Sequence, residues 1–451
     1  MSSEHSRRTP IDRMVRPFQE FMRIEASGGI LLMICTVVAL VWANSRFAES
    51  YFHLWETHLT FGIGHWEFSE PIHLWINDGL MAIFFFVVGL EIKREFLVGE
   101  LSLPRQAALP IAGAIGGMLV PALFYTSLNV GTPGASGWGV PMATDIAFAI
   151  AMLAILGKRV PLGLKVFLIA LAIVDDIGAV LVIALYYTSH ISGAALAATA
   201  MVLILLISAN LIGVRHYLVY SVLGFFLWAA VLNSGVHATI AGVLLAMTIP
   251  SSRRIDTRQF ADRIRAMLER FTSSPGREPD DSSPRRVLSE EQKAAVQALE
   301  TASEQVQSPM QNFEHALHPW VTFLIMPLFA LANAGVSFFA GGGEAAAAPV
   351  AMGIFLGLVL GKPIGIASLS WLAVKSGFAS VPKGATWRLF WGVGLLGGIG
   401  FTMSLFIAGL AFPSGGMLVM AKKGILLGSF VAGIAGYLLL RLTPSPSKGE
   451  A

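Results

Sequence analysis

The chain has almost no cysteine and little charge. Cys35 is the single cysteine in 451 residues, which excludes an intrachain disulfide and a cysteine-based metal centre. Charged residues make up 13%, against about 25% in a soluble globular domain. A wholly water-facing surface cannot be built from so few. The net charge of +3 says little about nucleic acid, because the basic residues sit in short connections between apolar runs, and no nucleic-acid partner is expected. A compact cleavable signal is also missing: "MSSEHSRRTPIDRMVRPFQEFMRIEASGG" stays polar too long. Within it, the segment around Phe18–Ile24 reads as one that lies on a membrane surface.

What the chain does have is apolar length. It is 55% hydrophobic, in repeated runs of about 20 residues, enough to cross a bilayer as a helix. The expectation is an all-α polytopic membrane protein whose natural partner is the lipid bilayer. About twelve spans are predicted, near 28–46, 72–92, 107–129, 138–156, 162–187, 193–212, 216–232, 235–250, 318–340, 350–374, 387–411 and 420–441. The seventh and eighth are short.

Positive charge gathers on the cytoplasmic side of membrane proteins. With both termini inside, the inner connections hold Lys93, Arg94, Arg105, Lys158, Arg159, Arg215, Arg253, Arg254, Lys383, Arg388 and Arg441. The outer ones hold Arg46, with Lys422 and Lys423 as the exception. The organisation is therefore a cytoplasmic segment 1–27, spans one to eight over 28–250, a cytoplasmic loop 251–313, spans nine to twelve over 314–441, and a cytoplasmic tail 442–451.

Two connections differ from the rest. Residues 251–313 are polar; "REPDDSSPRR" reads as disorder, and "SEEQKAAVQALETASEQV" as a short solvated helix with Ser289 and Gln292 in capping-box spacing. The plain reading is a cytoplasmic linker. The outer loop 46–70 contains "YFHLWETHLTFGIGHWEF", whose aromatic and β-branched content around a glycine turn predicts a hairpin. Its edge can pair with a second copy, giving a homodimer.

The chemistry lies in the few charges inside spans. "LAIVDDIGAV" places Asp175 and Asp176 side by side in an apolar run. Each central aspartate costs roughly 2.5–3.5 kcal/mol on insertion. The fifteen or so Leu, Ile, Val and Phe of this span contribute roughly −0.3 to −0.6 kcal/mol apiece, so the helix inserts with little margin. Neighbours on a helix point about 100° apart, so one acid can line a water-filled cavity while the other meets a partner. The alternative is a pair that only binds helices together, for which one aspartate would suffice.

"GVPMATDIAFAI" reads as a broken span. Pro141 frees backbone groups, and Thr144-Asp145 is a good start for a new helical segment. Freed carbonyls can coordinate a cation; alternatively Asp145 only caps the half-helix. "WGVGLLGGIGFTMSLF" predicts a second break around Gly397, Gly398 and Gly400, running to Thr402. Two interrupted spans far apart in sequence mark a transporter site.

Lys362 lies in "GIFLGLVLGKPIG", where Gly353, Gly357, Gly361 and Gly365 form a smooth stripe for close helix approach. A lysine this deep needs an anion, from Asp78, Asp145, Asp175 or Asp176, unless it snorkels to the interface. "GLEIKREF" supplies Glu91, Lys93, Arg94 and Glu95 near a membrane edge, and "FEHALHPW" supplies Glu314, His315 and His318. These read either as a titrating cluster or as a solvated face. His237, in "SGVHATIAGV", reads as a packed polar residue rather than a ligand.

"ATDIAFAI", "LAIVDDIG", "SGVHATIAGV", "HPWVTFLIMPLFALANAGV", "GKPIGI" and "GIGFTMSLFIAGLAF" together resemble the NhaA sodium/proton antiporters, in the same order and over nearly the whole chain. The resemblance implies inverted-topology repeats, a bacterial inner-membrane location, and electrogenic exchange of Na⁺ or Li⁺ for H⁺ with alkaline activation. It implies that Asp175 and Asp176 form the Na⁺ and proton site with Thr144 nearby, that Lys362 pairs with Asp175, and that Asp145 compensates the crossed half-helices. It ties Glu91, Arg94, Glu95, Glu314, His315 and His318 to pH activation, His237 to the pH profile, and the outer hairpin to dimer contact. No cofactor is implied beyond the transported ions. The 251–313 loop is longer than the family's pattern.

Two other classes are separable. A sodium-coupled solute symporter would show substrate-dependent Na⁺ uptake. An intramembrane aspartyl protease needs its two acids on different helices with a Gly-x-Gly-Asp signature, which this chain lacks, so no enzymatic activity is expected.

Overall fold

A computed structural model describes residues 26–63, 66–188, 191–252, 308–338, 344–382 and 384–443, with isolated residues between 264 and 298. The surface segment around Phe18–Ile24 and the capping box at Ser289 and Gln292 lie outside the described residues.

The described chain is helical apart from one hairpin. Seven helices are long and apolar enough to cross a membrane, or up to ten when each bent pair counts as one span, so this is a multi-pass membrane protein. In order they begin with α1 (Ala26–Ala43), then a short helix α2 (Ala48–Glu56), bent from α1 by 113°. The hairpin follows, β1 (His58–Ile63) against β2 (Trp66–Pro71), in antiparallel register with Phe61 opposite Phe68. The expected 46–70 hairpin is thus a helix followed by a narrower hairpin. Tyr51 and Trp55 explain the helical part: they recur at i, i+4, both are buried, and the Tyr51 hydroxyl donates to the Leu331 carbonyl at 2.8 Å.

Next come α3 (Ile72–Val98), α4 (Pro104–Asn129), half-helices α5a (Pro133–Met142) and α5b (Ile146–Leu156), α6 (Leu162–Tyr186) and α7 (Gly193–Ile212). Two shorter helices occupy the predicted seventh and eighth spans, α8 (Tyr217–Leu232) and α9 (Ile240–Thr248). After the 253–307 stretch come α10 (Pro309–Asn333), α11 (Ala347–Lys375), half-helices α12a (Trp387–Gly397) and α12b (Phe401–Ala411), and α13 (Gly416–Leu442). The Met310 N–H donates to the Pro250 carbonyl at 3.3 Å, so both ends of the long polar stretch leave the helices at one point.

The glycine stripe of α11 does what small residues do in a membrane, where close van der Waals packing drives association. A Cβ at Gly365 would strike the Gly116 carbonyl of α4, and one at Gly116 would strike Gly365 in turn. Gly361 lies against Pro121, and Gly353 against Tyr125 and Asn129. Three long helices carry a π-helical turn, at Trp75–Leu80, Val321–Ile325 and Gly357–Gly361, a distortion that often sits at functional sites. The last ends directly before Lys362.

Candidate functional site

The two broken helices cross at their breaks. The α5 pair bends by 40° and the α12 pair by 46°, and the Asp145 N–H donates to the Ile399 carbonyl at 2.7 Å. Asp145 takes an extended backbone and caps α5b by accepting the Phe148 N–H at 3.0 Å on Oδ1. Its Oδ2 accepts from the Thr402 N–H at 3.1 Å and the Thr402 hydroxyl at 2.5 Å. One carboxylate therefore faces the positive ends of two half-helices. Thr402 adds a polar contact that the sequence reading placed only at the end of the unwound stretch.

α5a is a 3₁₀ helix of ten residues, whereas such runs rarely exceed three or four. Side-chain donors from four neighbouring segments take its carbonyls. Tyr125 donates to Gly134 at 2.6 Å, Tyr187 to Ser136 at 2.8 Å, and Ser404 to Val140 at 2.8 Å. Lys362 Nζ donates to the Met142 carbonyl. The segment needs these donors because glycines and Pro141 leave it a poor α-helix former.

Lys362 and both α6 aspartates are buried, with 0% exposure for the lysine and 1% for each acid. Lys362 Nζ lies 2.6 Å from Asp175 Oδ2, so among the four possible anions the structure selects Asp175. The same oxygen lies 2.6 Å from the Thr144 hydroxyl, which also stands 2.9 Å from the Gly397 carbonyl. Asp175 Oδ1 and Asp176 Oδ1 are buried without a hydrogen-bond partner. Buried polar atoms are normally paired; two orphan carboxylate oxygens in adjacent residues mark a place that a cation or protons would complete. Asp145, Asp175 and Asp176 offer three carboxylates against the single ammonium of Lys362. The donor set around them is carboxylate, hydroxyl and backbone carbonyl, which suits a hard cation.

Asp176 lines a cavity of about 420 Å³ together with Thr144, Asp145, Thr402, Glu91 and His318. His318 is exposed, so the cavity connects the buried acids to the protein surface beside α10. Near that surface Arg94 bridges Glu314 and lies 3.5 Å from Glu95. Glu95 also accepts the Glu100 N–H at 3.0 Å. The structure thus gathers Glu91, Arg94, Glu95, Glu314 and His318, whereas His315 is exposed and outside the cavity lining. His237 stands apart: its Nε2 is 3.6 Å from Asp78, its Nδ1 is 2.9 Å from the Thr239 hydroxyl, and its ring packs against Phe406. Lys93, a member of the same membrane-edge cluster, turns to a helix end. It reaches the last carbonyls of α9, Met247 at 2.8 Å and Ile249 at 2.5 Å, as a basic residue does at a helix C-terminus.

The family model described as "Na+/H+ antiporter 1" matches residues 19–440. A protein of Oleidesulfovibrio alaskensis named "Na(+)/H(+) antiporter NhaA" is 54% identical over 439 residues, covering 96% of this chain and 95% of that one. A Koribacter versatilis protein of the same name is 49% identical over 438 residues, covering 97% and 94%. "Na(+)/H(+) antiporter NhaA 2" of Syntrophotalea carbinolica is 48% identical over 426 residues, covering 94% and 96%.

Proposed function

The chain belongs to the Na⁺/H⁺ antiporter 1 family, and on that premise we propose that it exchanges Na⁺, or Li⁺, for protons across a bacterial inner membrane. The proposal includes twelve spans with both termini cytoplasmic, inverted-topology repeats around the two broken helices, and a homodimer joined through the outer hairpin. The ions are cargo, and no resident cofactor takes part.

The carrying observation is the inequality of the two adjacent acids. Asp175 is tied to Lys362 and Thr144 through one oxygen, while Asp176 lines the cavity and its buried Oδ1 has no hydrogen-bond partner. A cation entering the cavity reaches Asp176 first, then the free oxygen of Asp175 and the Thr144 hydroxyl. Protons compete for the same oxygens, since a bound cation favours the ionised form of a carboxylate and burial favours the neutral one. Sodium arriving from inside expels protons, and protons arriving from outside expel sodium. With two protons per Na⁺, each cycle carries one net charge inward, and the membrane potential adds about 2.3 kcal/mol per 100 mV to the drive.

Alkaline activation fits the cluster of Glu91, Arg94, Glu95, Glu314 and His318, whose members line or flank the cavity's inner end. The relatives named above are antiporters, which lends a symport reading no support. The test is dissipation of a preset pH gradient in proteoliposomes by Na⁺, Li⁺ and K⁺, from pH 6.5 to 9. Exchange with Na⁺ and Li⁺, steeper at high pH and faster when the compartment that receives the protons is electrically negative, is the expected result. A pH gradient untouched by Na⁺ at every pH would sink the reading.

A further inference from the structure

Ser429, on α13, plays no part in the site described so far, yet its hydroxyl oxygen accepts the Phe401 N–H at 3.1 Å. Phe401 is the first residue of α12b. The leading N–H groups of a helix have no partner within it, and this end is buried, with Phe401 3% and Thr402 0% exposed. The next amide, that of Thr402, goes to Asp145. The two leading amides of α12b are therefore held from two sides, one by Asp145 beside the cavity and one by Ser429 on α13.

α13 comes close enough to do this because Gly424, Gly428, Ala432 and Gly436 recur every four residues. A Cβ at Gly424 would stand 2.9 Å from Ala351 Cα, one at Gly428 would stand 3.1 Å from Leu358, and one at Gly436 would stand 3.1 Å from the Gly392 carbonyl. A Cβ at Gly398, in the α12 break itself, would stand 3.2 Å from Ala432. This face presses α13 against α11 and α12, and the Ser429 hydroxyl lands on the start of α12b.

We propose that Ser429 is a positioning residue for cation binding. It caps α12b from the α13 side and so fixes how the positive end of that half-helix meets the cavity, and how Thr402 meets Asp145. Thr402 and Met403 share the cavity wall with Asp176, so a small pivot of α12b changes the field at that acid. The inference rests on the exchange reading above.

The test compares full-length wild type with Ser429→Ala, Ser429→Thr and Ser429→Cys in proteoliposomes, alongside the Na⁺-dependent rise in melting temperature of the purified proteins. Ser429→Ala should raise the Na⁺ concentration for half-maximal exchange about tenfold while the saturated rate changes less than about twofold. Its Na⁺-dependent stabilisation should shrink in parallel. Ser429→Thr keeps the acceptor and should restore both; Ser429→Cys, a weak acceptor, should fall between. Wild-type half-saturation in Ser429→Ala, even with a lowered melting temperature, overturns the proposal. If Ser429→Ala does not insert, equal half-saturation in the Thr and Cys variants overturns it, and a graded difference supports it. A wild-type chain with Na⁺-dependent stabilisation but no exchange defeats the exchange reading alone, and the stabilisation series then decides for Ser429. A wild type with neither response overturns both.

Discussion

Lys362 and Asp175 meet at 2.6 Å with no solvent exposure of either side chain. They come from helices 187 residues apart in sequence, and the pair exists because α11 can approach α4 through glycines and reach the α6 acids beyond. Removing one member of a buried pair leaves an uncompensated charge, typically at a cost of about 3–5 kcal/mol. Lys362→Ala should therefore lower the melting temperature sharply, and adding Asp175→Asn should recover part of the loss. Thermal unfolding of the three proteins in one detergent checks this. An unchanged melting temperature in Lys362→Ala would argue that the pair contributes nothing to the fold.

Asp176 should behave in the opposite way. Its Oδ1 has no partner and the charge is buried, so neutralising it removes an unfavourable term rather than a bond. Asp176→Asn should insert normally and unfold at the wild-type temperature or above it, while losing Na⁺-driven proton movement in vesicles. Persisting exchange would show that another group carries the cargo.

Asp145 and Thr402 test the crossing. Losing the Thr402 hydroxyl removes one hydrogen bond to a charged group, worth about 1.5–3 kcal/mol. Asp145→Ala strips the cap from both half-helices and leaves the Phe148 and Thr402 amides without it. Asp145→Ala should be the more destabilising of the two, with Thr402→Val closer to wild type, by thermal unfolding of each. Equal losses would mean that Asp145 acts only through Thr402.

The apolar runs made seven of the twelve predicted spans legible as single helices of membrane-crossing length, and up to ten when each bent pair counts as one span, because burial in lipid leaves a helix no alternative to satisfying its own backbone. α8 and α9 fell short for the same reason that they were read as short: fewer apolar residues lie between their breakers. Both breaks were legible because Pro141 and the Gly397–Gly400 cluster weaken the helix locally. The partner of Lys362 was not legible from charge depth, which left four anions open; the resemblance implied Asp175, and the packing of α11 on α4 and α6 is what brings the two together. The 3₁₀ form of α5a was not legible either, since its stability comes from donors on other elements. Ser429 and Thr402 gave no charge signal at all: a hydroxyl in a span is cheap, and its role depends on which amide it meets.

Thr144 has one hydroxyl proton and two acceptors in reach, Asp175 Oδ2 at 2.6 Å and the Gly397 carbonyl at 2.9 Å. It therefore links the acid on α6 to the end of α12a, and its lone pairs are free to meet a cation while the proton points to either one. Thr144→Ser keeps every polar function and should retain wild-type half-saturation by Na⁺. Thr144→Val fills the same volume but leaves the Gly397 carbonyl short of a donor, costing about 1–3 kcal/mol. If that cost falls on the cation-bound state as well as on the fold, half-saturating Na⁺ rises in Thr144→Val and the Na⁺-dependent gain in melting temperature shrinks. A Thr144→Val protein that is less stable but binds Na⁺ as wild type would confine the hydroxyl to holding α12a in place.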